Sequence, residues 1–208
     1  MKSADTNRRH TGAGQQRDVA PRRRADAERN VAAIVAAALV CFTEDPQVSM
    51  AAIARAAGVG RVTLYAHFPS RDVLLEAVLD HAIALADPVL NAAMPGDGPA
   101  ADALRRLLRS AWQVLDRHRR LFEAAQHELD ATRMRKHHDQ AMAHVEGLLR
   151  RGRDEGAFRD DLPLGWMVTT VYSLLHAAAI DVNSGRLPQD AAADVLEATL
   201  LPALVPPR

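Results

Sequence analysis

Residues 53–68 read IARAAGVGRVTLYAHF, and two small helices are written into them. Ile53, Ala57, Val59, Leu64 and Phe68 can share one apolar core. Gly58 interrupts the pattern where a sharp turn between helices needs a positive φ, which only glycine adopts freely. Ala54, four residues earlier, is small enough for two helices to cross closely there. This is the pattern of a helix-turn-helix, whose second helix docks in the DNA major groove. The expected reading face is Arg61, Thr63, Tyr65 and His67, side chains that can reach base edges or phosphates.

The flanks fit that reading. Val31, Ile34, Val35, Ala38, Leu39 and Phe42 recur at three and four, so a helix is expected from Ala25 to about Phe42. Glu44, Asp45 and Pro46 end it, Ser49 caps the next helix, and Ser70 caps a fourth after Pro69. Residues 1–24 hold Lys2, Arg8, Arg9, Arg17, Arg22, Arg23 and Arg24 and almost no large apolar residue. They are expected to form a disordered basic arm. Residues 1–72 contain 11 Lys and Arg against 7 Asp and Glu, and the remainder 15 against 19, although the whole chain is neutral. A basic front half suits an anionic partner.

The composition of the 208 residues is rich in alanine and poor in aromatics, which favours packed helices over sheets. The fold class expected is all-α with about nine helices, at roughly 25–42, 49–57, 61–67, 71 onward, 100–119, 121–130, 133–152, 163–183 and 188–204. The domains expected are the arm at 1–24, a DNA-binding head at 25–71, and a ligand-binding and dimerisation domain at 72–208. The lone Cys41 allows no internal disulfide, and no apolar leader precedes the helices, so a cytoplasmic location is expected. The uncharged run from Leu162 to Ile180 contains Pro163, Thr169, Thr170, Ser173 and His176 and reads as a buried helix, with no membrane partner.

The stretch VSMAAIARAAGVGRVTLYAHFPSRDVLLEAVL, residues 48–79, resembles the TetR family of bacterial transcriptional repressors. It carries the family's small-residue helix, Ala-Gly-Val, Thr-Leu-Tyr-x-x-Phe, Pro-Ser-Arg and Leu-rich helix start, over about the first 80 residues. The resemblance implies that Thr63 and Tyr65 face DNA, with Tyr65 toward a phosphate, and that Arg71 is a basic contact at the start of the fourth helix. Arg61 and His67 occupy variable positions and are the candidates for operator preference, while Val62 replaces a small residue and either meets a thymine methyl or packs. Ser49, at the start of the second helix, completes the DNA-facing set.

The resemblance also implies a homodimer through the last two helices and a small-molecule pocket between the middle ones. Trp112, Phe122, Met142, Tyr172 and His176 are the ligand-binding candidates, although ordinary core packing is the better reading of any single one of them. Trp166 is a further large side chain of the back half. An apolar effector and double-stranded operator DNA are the partners expected; no cofactor is. Gly58–Thr63 lacks the strand and third glycine of a phosphate loop. His127-Glu128 lacks the second histidine of a zinc helix, and His118, His137, His138 and His144 read as solvated, so no metal or catalytic site is assigned. The rival reading is a helical ligand-binding protein or enzyme with an incidental helix-turn-helix.

Overall fold

A computed structural model of the chain describes residues 19–93 and 98–206. These form ten helices and no strand. They are α1 Val19–Glu44, α2 Met50–Ala56, α3 Arg61–His67, α4 Arg71–Ala92, α5 Ala100–Arg117, α6 Arg119–Glu128, α7 Ala131–Lys136, α8 Asp139–Asp154, α9 Leu164–Asn183 and α10 Ala192–Leu204. The arm expected at 1–24 lies outside the described residues up to position 18, and α1 already begins at Val19, six residues before the expected start.

The helix count exceeds the expected nine because the pattern at 133–152 is two helices. Asp130 caps α7 by accepting from the backbone N–H of Thr132 (2.8 Å) and Arg133 (2.9 Å). At the other end the ring of His138 donates from Nδ1 to the carbonyl of Met134 at 2.9 Å, one of the carbonyls that a helix end leaves open. Side chains thus bond the backbone at both ends of α7, and α8 begins anew at Asp139.

The head packs α1, α2 and α3 around Ile34, Ala38, Phe42, Ile53 and Leu64, each fully buried. Gly58 has φ +68°, and the next N–H, that of Val59, donates to Ala54 O at 3.0 Å, which closes the end of α2. Ala54 is 1% exposed, as close helix crossing requires. Ser49 caps α2 through its hydroxyl, which accepts from Ala52 N at 3.2 Å. Ser70 stands at the start of α4, but its hydroxyl donates to the carboxylate of Asp72 in place of accepting a backbone bond.

Helix α4 belongs to both halves. Leu74, Leu75 and Val78 are fully buried along it, and its outer turns reach the back-half core. That core joins α5, α6, α8, α9 and α10 to α4. Leu196, Leu200 and Leu204 of α10 are buried within the chain, where α10 packs on α5 and α9, and Leu201 is half-buried. The exposed apolar side chains of the last two helices are instead Trp166, Ile180 and Val195. No helix among the described residues is long and apolar enough to cross a membrane.

Candidate functional site

Two candidate surfaces stand at opposite ends of α4. The first is the outer face of α3. Leu64 anchors this short helix by its buried side chain, so its neighbours must point outward. Val62 is 85% exposed and Tyr65 48% exposed, and Arg61 is exposed beside them. Thr63 and His67 are half-buried at the edges of the same helix, and Ser49 is exposed at the N-terminus of α2. Val62 is thus no part of the head's core.

Arg71 differs from the expected free contact. Its guanidinium donates to the carbonyl of Val48 and, at 2.6 Å, to that of Pro46. Its Nε lies 3.2 Å from Glu128 of α6, and the group stacks 4.8 Å from the ring centroid of Phe42. Arg71 therefore ties the loop before α2, the end of α1 and the end of α6 to the start of α4. The sequence places it next to a helix N-terminus, and the fold spends its donors on backbone carbonyls.

A second cluster continues this tie. Arg133 of α7 donates to Glu76 at 2.8 Å and to Asp72 at 2.9 Å, and His137 Nδ1 lies 2.6 Å from Asp80. The hydroxyl of Ser70 first, and then Arg133, hold the Asp72 carboxyl below its usual range. Arg133 likewise lowers Glu76 through its hydrogen bond. The first turns of α4, next to α3, are thus fastened to α7 and to His137 at its end.

The second surface is a cavity of about 140 Å³ between α4, α5, α6, α8 and α9. Leu79, Ile83 and Leu90 of α4 form one wall, and Leu107, Val145 and Val171 others. Of the expected ligand-binding residues, Phe122, Met142, Tyr172 and His176 line it. Trp112 does not: it is 5% exposed and packs in the core beside the cavity. His118, His138 and His144 also line it, which corrects their reading as solvated. The signal available in the sequence was the four-residue step from Tyr172 to His176, but nothing in it says that His138, between α7 and α8, turns toward that step.

The rings meet around His176. Its centroid lies 4.1 Å from Tyr172, 4.5 Å from Phe122 and 4.9 Å from His138. Burial, and then the neighbouring His138, push His176 down to about 4. Burial likewise lowers His138 and His118 and raises the Tyr172 hydroxyl. The cavity is therefore mainly apolar, and the neutral forms of His118, His138, Tyr172 and His176 are favoured in its wall. No group of three or more His, Cys, Asp or Glu among the described residues could hold a metal ion.

An anchored short helix with its side chains outward, joined through a long helix to a walled cavity, is a helix-turn-helix head on a helical body. Residues 34–78 match the family model described as bacterial regulatory proteins, tetR family. The HTH-type transcriptional repressor LfrR of Mycolicibacterium smegmatis is 39% identical over 83 residues, 40% of this chain and 44% of LfrR, so this match spans less than half of that relative. The HTH-type transcriptional regulator NfxB of Pseudomonas aeruginosa is 23% identical over 171 residues, 81% of this chain and 90% of NfxB. The crystal structure of LfrR in complex with proflavine superposes with a TM-score of 0.59 at 26% identity, over 86% of this chain and 98% of that one. The fatty acid degradation regulator FadR of Bacillus halodurans shares the fold, with a TM-score of 0.69 at 18% identity over 83% and 94% of the two chains. Residues 34–78 thus match the DNA-binding segment of the TetR family, and the described helices share the fold of TetR-like regulators. The rival reading as an enzyme is set aside, because these relatives are regulators.

Proposed function

We propose that the chain is a repressor that binds operator DNA as a homodimer and leaves it when a small, mainly apolar molecule fills the cavity. The exposure of Val62 carries the DNA reading. A valine left 85% exposed on a seven-residue helix contributes nothing to folding, whereas in a major groove it meets a thymine methyl. Arg61, Thr63, Tyr65 and His67 lie on the same helix and supply polar contacts, and Ser49 approaches the backbone from the start of α2. Arg71 acts by positioning: it holds the start of α4 against the head.

The dimer reading is supported by Trp166, 61% exposed on α9, together with Ile180 on α9 and Val195 on α10. A two-fold interface would cover them and space two heads along the duplex. The ligand reading is supported by the cavity and by the likeness to LfrR, whose structure was solved with proflavine. A regulator of this kind acts where the DNA is, in the cytoplasm.

The test is selection from random duplexes followed by titration. The wild type should enrich a sequence with two-fold symmetry. Tyr65→Ala and Arg61→Ala should weaken binding to it by about tenfold or more, the size of one or two lost contacts, while the melting temperature stays put. Failure to enrich any sequence, or variants that bind like the wild type, would overturn the reading.

A further inference from the structure

Histidines supply most of the cavity's polar groups, with Tyr172 beside them, and the hydrogen bonds of two of them fix what they can offer. The Nδ1 of His176 lies 2.9 Å from the carbonyl oxygen of Tyr172, and the Nδ1 of His138 lies 2.9 Å from that of Met134. A carbonyl only accepts, so each ring spends its Nδ1 proton there. A neutral imidazole has no second proton. Each Nε2 is therefore left with a lone pair, and that of His176 is buried without any partner. A buried acceptor left unpaired costs free energy that a donor would recover.

The residues lining the cavity include no Asp, Glu, Lys or Arg. Arg135 stacks 5.7 Å from the ring centroid of Tyr172 and bonds Thr169, and Asp87 lies 3.6 Å from His144, but neither lines the cavity. His118, with Nδ1 buried and unpartnered, is bound to neither tautomer and can serve the far end of a ligand in either role. Phe122, Tyr172 and the two histidine rings surround the acceptor with flat surfaces.

We propose that this cavity selects an uncharged aromatic molecule that donates an N–H or O–H hydrogen bond to Nε2 of His176. The proposal rests on the ligand reading above and sharpens it. A permanent cation finds no carboxylate in the wall. A carboxylate finds no cation at His176, because burial keeps this ring and that of His138 neutral. An aromatic without a donor fills the space and leaves the His176 acceptor unpaired.

Four naphthalenes of nearly one shape test this by calorimetric titration of the full chain at neutral pH without DNA. They are 2-naphthol, 2-fluoronaphthalene, 2-naphthoate and trimethyl-(2-naphthyl)ammonium. The expected result is that 2-naphthol binds about tenfold more tightly than each of the other three, the contribution of one buried hydrogen bond. His176→Phe keeps a flat ring and removes the acceptor, so the preference for 2-naphthol over 2-fluoronaphthalene should vanish. Tighter binding of the anion or the cation would overturn the proposal, as would a preference that survives in His176→Phe, or no binding by any of the four. If His176→Phe does not fold, the wild-type ranking alone decides. Because DNA is absent, this result stands apart from the operator titration: selective 2-naphthol binding without any selected operator would sink the repressor reading and leave the cavity chemistry intact.

Discussion

Helices α3 and α9 carry the two candidate functions in opposite ways. Helix α3 has seven residues, one fully buried anchor in Leu64, and its functional side chains in solvent. Helix α9 has twenty residues, buries Met167, Val168 and Val171, and turns Tyr172 and His176 inward to the cavity. A surface that reads a large external partner needs only to be presented, so one anchor suffices. A surface that encloses a small molecule must be assembled from several helices, and its chemistry depends on all of them. The first kind of site survives in a short motif; the second does not.

Three changes bear on this contrast. Leu64→Ala should have the largest effect. It removes the sole buried anchor of α3 from a fully closed core and should cost about 2–5 kcal/mol. Operator binding should disappear, while 2-naphthol binding at low temperature stays within a few fold of wild type. Loss of both together would show that head and cavity do not fail separately.

Arg71→Ala comes next, at about 1–3 kcal/mol, because it unpairs two backbone carbonyls and Glu128 and uncovers Phe42. The drop should appear in a thermal melt with no DNA present. An unchanged melt, with a salt slope of operator binding reduced by about one, would instead make Arg71 a direct phosphate contact.

The smallest expected effect is acid sensitivity from the cavity. His176 titrates near 4 in the fold against an ordinary 6.5, so the folded chain favours the neutral ring. That contribution is complete above 6.5 and is lost as the pH falls from there through 4. Between pH 7.5 and 6 the loss from this one group should be about 1 kcal/mol. Denaturant titrations at the two pH values should show it in the wild type and show about that much less loss in His176→Phe. An equal loss in both would assign the acid sensitivity to other groups.

The sequence by itself determined the head. Ile53, Ala54, Gly58, Leu64 and Phe68 lie within sixteen residues, so their spacing states which side chains meet and, by exclusion, that Arg61 and Tyr65 face out, while Val62 stays open between packing and exposure. It also determined that the chain is all helix, because that follows from local period and composition. Only the tertiary structure decided the rest. The leucines of α10 are as apolar as a dimer stripe would be, and it is the contact with α5, some ninety residues away in the chain, that buries them and leaves Trp166 and Val195 outside. Arg71 looks like a free cation until the carbonyls of Pro46 and Val48 arrive beside it. His138 looks like half of a solvated pair until its ring caps α7 and its other face meets Tyr172 and His176. Each of these outcomes depends on partners brought together by the closure of long loops of chain. Helical period records which face of a helix is apolar, and it does not record which distant surface that face will meet.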